Sequence, residues 1–145
     1  MVWQTDSADQ TQQIASNLAK QILTGTTDRA IAIALFGPIG AGKTTFAQGF
    51  AQGLGIKDKV ISPTFVLMRQ HPLPDSKKIL YHLDLYRLTT EQSLSELGLN
   101  ELLDDPNNII LIEWAEKIEG SLPDQTKKIN FEIISLLSRR LTLTE

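Results

Sequence analysis

Two stretches of the chain are apolar on every side, a pattern typical of strands that are covered on both faces of a sheet. The first runs from Ala30 to Phe36, and the second runs from Asn108 to Glu113 and finishes in a carboxylate. We expect both strands to lie inside a sheet rather than at its edge. With the helices predicted around them, they favour an α/β fold.

Helical spacing of apolar residues occurs on either side of the first apolar stretch. Asp6 and Ser7 can cap a helix that runs from about Ala8 to Leu23, and Gly25 can end it. A second helix is predicted from Lys43 to Leu54. The chain therefore alternates helix, strand and helix in its first third.

Shorter patterns predict the remaining elements. These are a pair of strands, a short helix and a closing pair of strands: Phe65 to Gln70 with Ile79 to Leu83, Glu91 to Leu97, and Lys128 to Ile134 with Arg139 to Leu143. The first pair is separated by a turn around Pro72, Pro74 and Asp75, which favours an antiparallel hairpin.

Composition limits the size of the fold and the partners that it can attract. A chain of 145 residues, 41% hydrophobic and 21% charged, is long enough for one core, so we expect a single domain over residues 1–145. The formal charge of -3 argues against electrostatic capture of nucleic acid, and any contact with RNA is expected to be indirect. The absence of cysteine excludes disulfides and thiolate metal sites.

The first ten residues contain neither a basic stretch nor an apolar run, so no secretory signal is predicted. No segment approaches the roughly 18 consecutive apolar residues that indicate a membrane span. We therefore expect a cytoplasmic protein that does not cross a membrane.

The segment GPIGAGKT from Gly37 to Thr44 matches the phosphate-binding pattern G-x-x-x-x-G-K-[ST]. Its setting fits, because an apolar strand precedes it and a helix follows it. The loop brings successive backbone N–H groups around phosphate oxygens, and the helix points its positive end at the same anion. A chance glycine-rich turn is the alternative, and the setting argues against it. We expect ATP and Mg²⁺ as ligands in a three-layer P-loop NTPase fold, with flanking helices on a mixed central sheet that includes an antiparallel hairpin.

Each residue of the loop has an expected part in nucleotide binding. Lys43 reaches the outer phosphates, and the Thr44 hydroxyl is a magnesium ligand. Thr45 packs its helix rather than serving as a second metal ligand. The predicted nucleotide-binding residues here are Gly37, Pro38, Ile39, Gly40, Ala41, Gly42, Lys43, Thr44 and Thr45.

Two carboxylates follow predicted strands and are candidates to bind the metal or to orient the attacking water. Glu113 ends the second apolar strand, and Asp84 follows the strand Ile79 to Leu83. A carboxylate at the tip of a buried strand is where a magnesium-side acid lies in such folds. A purely structural role, such as capping a loop, remains the alternative for each.

Several polar and aromatic residues have an ordinary structural interpretation. Thr64 lies in Ser62-Pro63-Thr64, which is typical of a plain turn although its hydroxyls can approach a γ-phosphate. His71 and His82 are interpreted as packed or solvated residues rather than metal ligands. Trp114 can pack in the core or shield the phosphates, and Arg139 is by default a solvated arginine.

Four segments occur in the order GPIGAGKTT, VISPTFVL, YHLDLYRL and IILIEWAEKIEGSLP. Together they resemble the TsaE (YjeE) family of bacterial tRNA threonylcarbamoyladenosine biosynthesis ATPases, from about Ala8 to Pro123. The resemblance implies a magnesium-dependent ATPase that acts with the TsaB and TsaD proteins. In that family the transfer to tRNA belongs to TsaD, and tRNA is contacted by this subunit only indirectly.

The resemblance also implies roles for single residues. Thr64 matches a switch-like threonine, Asp84 a catalytic acid, Glu113 the magnesium-side acid, Trp114 the tryptophan after it, and Arg139 a nucleotide contact in the last strand. With Lys43, Asp84 and Glu113 form the predicted catalytic set, and Thr44 and Glu113 hold the metal. Pro38 departs from the family, whose members often carry an acidic residue there.

Other functions remain open. A small-molecule kinase uses the same loop but usually adds an arginine-rich lid, and no arginine cluster is present in the sequence. A GTPase is disfavoured because no Asn-Lys-x-Asp motif occurs. A nucleotide-dependent docking module, in which turnover is incidental, shares the loop and is not excluded. The main prediction is in-line attack of water on the γ-phosphate, slow without partners.

Overall fold

A computed structural model describes residues 1–60, 67–88 and 98–145 of the chain. Within those residues the strands are β1 (Val2–Thr5), β2 (Ile31–Phe36), β3 (Met68–Pro72), β4 (Ile79–Asp84), β5 (Asn108–Glu113), β6 (Lys127–Ile133) and β7 (Arg139–Thr144). The helices there are α1 (Ala8–Thr24), α2 (Lys43–Gly53) and α3 (Leu99–Asp104), and a 3-10 segment follows β5 at Ala115–Ser121. The predicted α/β class is confirmed.

The strands form a mixed sheet in the order β1-β7-β6-β2-β5-β4-β3. β2 lies between β5 and β6 and is parallel to both, and β4 is parallel to β5. The pairs β3–β4, β6–β7 and β1–β7 are antiparallel. The mixed sheet with an antiparallel hairpin is thus confirmed. Because β2, β4 and β5 are parallel, their carboxyl ends meet at one end of the sheet.

Helices cover both faces of the central strands. Ile33 of β2 and Leu111 of β5 face α1 and α2, whereas Ala34 and Ile112 face α3 and the 3-10 segment. All four side chains are at most 1% exposed. This double coverage explains why both strands are apolar at every position, since successive side chains point to opposite faces. Helices on both faces also hold the carboxyl ends of these strands in place, where the polar residues of the candidate site lie.

α1 and α2 pack with their backbones unusually close. A Cβ added to Gly49 of α2 would lie 2.4 Å from the carbonyl oxygen of Gln12 in α1. One added to Gly53 would lie 2.4 Å from the Ser16 carbonyl oxygen. Both glycines are therefore required by the close approach of the two helices. The contact with α1 fixes the position of α2, the helix that follows the glycine-rich loop.

Most predicted boundaries agree with the structure within two residues. α1 begins after Ser7, whose Oγ accepts a hydrogen bond from the Gln10 amide at 3.2 Å, and it ends before Gly25. β3 ends at Pro72, two residues beyond the predicted Gln70, so Pro72 belongs to the strand and was wrongly placed in the turn. There the Leu73 N–H donates to the Lys78 carbonyl at 3.0 Å.

Three elements of the described residues had not been predicted, and two predictions cannot be compared in full. β1, α3 and the 3-10 segment are short and were missed. The predicted helix from Glu91 to Leu97 lies outside the described residues, as does the start of the predicted strand from Phe65. Among the residues that the structure describes, no helix has the length and apolar character needed to cross a membrane.

Candidate functional site

The glycine-rich loop connects β2 to α2 at the carboxyl end of the sheet. Gly37 adopts a φ of 144°, and a Cβ there would lie 2.8 Å from the Phe131 carbonyl oxygen. Gly42 immediately precedes α2 with a φ of 101°, in the left-handed region that side chains rarely adopt. The loop therefore takes a path that glycine permits, and its backbone turns around the amino end of α2.

Lys43 points back over the loop and lies in a carboxylate-rich setting. Its ammonium donates to the Gly37 carbonyl and lies 3.4 Å from the centroid of the Trp114 ring. Burial lowers the pKa of Lys43, while the charges of Glu116, Glu113 and Asp84 act in the opposite direction. The side chain is only 5% exposed. A cation so poorly hydrated is prepared to interact strongly with an anion that enters the loop.

Glu113 joins the first turn of α2 to the neighbouring strand. Its Oε1 accepts a hydrogen bond from the Thr44 hydroxyl at 3.0 Å, and its Oε2 lies 2.5 Å from His82 Nε2. Glu113 is 2% exposed and His82 is fully buried. The buried carboxylate is therefore held from two sides, by a residue of α2 and by a residue of β4.

Asp84 lies beside Glu113 in the β4–β5 register, with both at the ends of their strands. One of its carboxylate oxygens, Oδ1, accepts a hydrogen bond from the Tyr86 amide at 3.0 Å. It is 5% exposed and lines the same cavity as Glu113 and Lys43. The parallel register thus brings together two acids that are 29 positions apart in the sequence.

Trp114 forms one wall of this cavity, which has a volume of about 250 Å³. The residue has a φ of 59° and a ψ of 42°, which turn the chain sharply as it leaves β5. Its ring lies 5.0 Å from the Tyr86 ring, centroid to centroid. Two residues further on, Glu116 accepts a hydrogen bond from the Gly37 amide at 2.9 Å. The segment after β5 therefore closes over the start of the loop.

Arg139 lies on the other side of the loop, at the start of β7. Its guanidinium donates to the Gly40 carbonyl at 3.1 Å. It also donates to three carbonyls of the β6–β7 turn, those of Ser135, Leu136 and Ser138. A second cavity of about 200 Å³ lies here, between the loop, the start of α1 and the turn. Arg139 therefore ties the β6–β7 turn to the glycine-rich loop.

Most of the predicted site residues lie around these two cavities. The larger one is lined by Ile39, Gly40, Gly42, Lys43, Thr44, Thr45, Asp84, Glu113 and Trp114. Thr45 also lines the smaller cavity, so it faces open space on this side of α2. Thr64 lies outside the described residues, and the structure does not address it.

Two contacts of the site were missed by sequence reasoning. His82 had been interpreted as a packed or solvated residue, and it contacts Glu113; Glu116 had not been considered at all. A signal for His82 existed, because it precedes Asp84 by two residues on a strand, and alternate residues face the same side. No comparable signal marks Glu116, which follows the left-handed turn at Trp114.

Comparison with known proteins places the chain in a family. The family model for threonylcarbamoyl adenosine biosynthesis protein TsaE matches residues 5–141. A Bacillus subtilis protein called tRNA threonylcarbamoyladenosine biosynthesis protein TsaE is 37% identical over 142 residues, covering 98% of this chain and 84% of its own length. The protein of the same name from Haemophilus influenzae is 36% identical over 120 residues, covering 83% and 74%.

A solved structure has a similar fold. The crystal structure of YdiB from Bacillus subtilis matches with a TM-score of 0.78 at 32% sequence identity, over 99% of this chain and 83% of that one. The match therefore extends over nearly the whole chain. By family model and by sequence identity to its named relatives, the chain belongs to the TsaE family.

Proposed function

We propose that this chain is a magnesium-dependent ATPase that serves the formation of threonylcarbamoyladenosine in tRNA. The contact of the Thr44 hydroxyl with Glu113 at 3.0 Å carries the proposal. It brings the last residue of the phosphate-binding motif to a buried acid at a strand end, the arrangement that P-loop enzymes use to hold magnesium. The reaction class follows from this site, and the pathway follows from the names of the relatives.

ATP phosphates fit the loop between Gly37 and Thr44. Backbone N–H groups and the amino end of α2 favour an anion there. The buried Lys43 side chain places its ammonium group beside the Gly37 carbonyl, where it can interact with the outer phosphates. These groups stabilise negative charge as the γ-phosphate separates, and they need no reorganisation when it does.

Magnesium fits the donor set. Thr44 and Glu113 supply hard oxygen atoms, and Asp84 lies next to Glu113 in the register. Magnesium usually keeps several water ligands and takes phosphate oxygens besides one or two carboxylates. When bound, the ion neutralises charge on the phosphates.

Three further residues of the site, Asp84, Trp114 and Arg139, are assigned roles in the proposed reaction. Asp84 orients the attacking water, and Trp114 shields the phosphates from bulk solvent. Arg139 shapes the smaller cavity, which is open enough to receive part of the nucleoside beyond the phosphates. The proposal includes a three-layer P-loop NTPase fold, in one domain over residues 1–145.

The partners and the compartment follow from the family resemblance. We propose that the chain acts in the cytoplasm with TsaB and TsaD, contacts tRNA only indirectly and hydrolyses ATP slowly on its own. Transfer of the threonylcarbamoyl group belongs to TsaD, and turnover here drives or resets the shared cycle.

Phosphate release from Mg-ATP tests the proposal directly. The purified chain is assayed alone and with TsaB and TsaD, using Lys43→Ala and Glu113→Ala as inactive variants and Glu119→Ala as an exposed control. Hydrolysis that rises with the partners and falls about 10²- to 10³-fold in the two inactive variants supports the ATPase. No turnover in any mixture, despite ATP binding, rejects it.

The same variants separate the ATPase from its two rivals. A Glu113→Ala protein that binds ATP, does not hydrolyse it and still supports tRNA modification identifies a docking module. A phosphorylated acceptor without free phosphate identifies a kinase. The ATPase predicts that tRNA modification and phosphate release are lost together.

A further inference from the structure

His82 is fully buried and directs one ring nitrogen at the acid of the proposed magnesium site. The distance from its Nε2 to Glu113 Oε2 is 2.5 Å. The other carboxylate oxygen, Oε1, accepts the Thr44 hydroxyl. The carboxylate therefore lies between the two side chains, with one oxygen directed to each.

The hydrogen-bond partners assign the tautomer of this ring. His82 Nδ1 is buried and has no partner among the described residues. A proton on Nδ1 would be a buried donor without an acceptor, which is more costly than an unused lone pair. The proton is therefore assigned to Nε2, which donates to Glu113 in a charge-assisted hydrogen bond.

The strand register explains how the ring reaches the acid. His82 lies opposite Leu111 on the parallel strand β5, two residues before Glu113, and its side chain points to the same face. A glutamate at the end of a strand has three rotatable side-chain bonds, so its carboxylate orientation is set by its partners. His82 supplies a rigid partner from the adjacent strand.

We propose that His82 is a positioning residue, which holds Oε2 of Glu113 so that Oε1 stays directed toward Thr44 and the metal. The inference rests on the proposed magnesium-dependent function. Removing a residue that hydrogen-bonds to a metal ligand commonly weakens metal binding by about 10- to 100-fold. His82 thus acts on the metal through Glu113 and does not touch the nucleotide.

The test compares three substitutions by their effect on metal binding rather than on turnover. His82→Leu removes the N–H donor. His82→Gln retains one, because its amide nitrogen can occupy the place of Nε2. Leu83→Ala is the matched control, since it creates a defect in the same strand on the opposite face. Mn²⁺ binding in the presence of a non-hydrolysable ATP analogue is followed by the loss of the free Mn²⁺ signal in electron paramagnetic resonance.

The expected result is an Mn²⁺ affinity about 10- to 100-fold weaker in His82→Leu, with recovery in His82→Gln and none of this loss in Leu83→Ala. Binding of the analogue in the presence of a chelator should be the same in all of them. Equal Mn²⁺ affinity in His82→Leu and wild type would overturn the inference, as would an equal loss in Leu83→Ala.

Two further outcomes are decisive. If His82→Leu does not fold, His82→Asn replaces it, because its shorter amide lies near the position of Nδ1 and cannot reach the acid. Equal Mn²⁺ affinity in the Asn and Gln variants then overturns the inference. If the wild type itself binds no Mn²⁺ with the analogue, the magnesium-dependent function fails and this inference fails with it. A wild type that binds Mn²⁺ without any effect of His82 overturns only the inference.

Discussion

The Thr44 hydroxyl donates to Glu113 Oε1 across 3.0 Å, which links the first turn of α2 to the end of β5. Thr44→Val retains the shape of the side chain and removes the hydroxyl, whereas Thr44→Ser retains the hydroxyl. Magnesium should increase the ATP affinity of the wild type. In the valine variant we expect this increase to be at least about tenfold smaller, because removal of a metal ligand should weaken metal binding no less than removal of a residue that hydrogen-bonds to a ligand.

Calorimetric titration with ATP, with and without magnesium, measures this gain. The serine variant should stay close to the wild type, and metal-free ATP binding should be similar in all three proteins. A valine variant with an undiminished magnesium effect would remove Thr44 from the metal site.

Arg139 connects the β6–β7 turn to the Gly40 carbonyl through a planar group with several donors. Arg139→Lys retains the charge but cannot make this set of hydrogen bonds. We expect ATP affinity to fall about fivefold, equivalent to about 1 kcal/mol, because the loop loses one hydrogen bond that orients it. Equilibrium binding measures the change.

Arg140→Lys provides the matched control. The Arg140 guanidinium lies 3.5 Å from the Glu132 carboxylate on the surface, where such pairs contribute little. An equal loss of ATP affinity in both variants would show that the hydrogen bond from Arg139 to the Gly40 carbonyl is not the cause.

The contact of Gly49 with α1 predicts a loss of stability rather than of chemistry. Gly49→Ala places a methyl group 2.4 Å from the Gln12 carbonyl oxygen, so α1 and α2 must separate. Overpacking of this kind costs about 1–3 kcal/mol in the free energy of unfolding. Urea denaturation of the nucleotide-free protein measures it.

Gly120→Ala is the control for this prediction. No atom lies within 4 Å of the added methyl group, and the residue is exposed. We expect a change within about 0.5 kcal/mol. Comparable losses in the two variants would contradict the close helix contact.

The lowered pKa of Lys43 predicts how stability depends on pH. The unfolded chain regains the ordinary lysine pKa, so between the two values the unfolded state binds more protons than the folded state. The free energy of unfolding of the wild type therefore rises with pH between the two pKa values. Below both values Lys43 is charged in both states, and burial of the charged ammonium lowers the stability of the folded protein.

Lys43→Met removes the ionisable group and retains the length of the side chain. The free energy of unfolding of the wild type minus that of the variant should increase as pH rises toward the ordinary lysine value of about 10.4. Denaturation of nucleotide-free protein at neutral and alkaline pH measures this difference, with the exposed Lys20→Met as control. A difference that does not change with pH would contradict the burial of the ammonium.

The sequence alone determined the features that depend on neighbouring residues. The spacing of Gly37, Gly42, Lys43 and Thr44 predicted the loop, because the backbone path and the two side chains lie within one short segment. The apolar runs of β2 and β5 predicted buried strands, since burial on both faces demands apolar residues at every position. The start of α1 was predicted because a cap is a local hydrogen bond, here between Ser7 and the Gln10 amide.

Only the tertiary structure decided which distant segments meet. β1 has four residues, too few for a pattern, and it exists as a strand by pairing with β7 near the other end of the chain. The hydrogen bond of His82 with Glu113 depends on the parallel register of β4 and β5, and that of Arg139 with Gly40 depends on the path of β7. Such contacts join residues separated by 31 and 99 positions, and their geometry is set by strand order and packing rather than by local sequence.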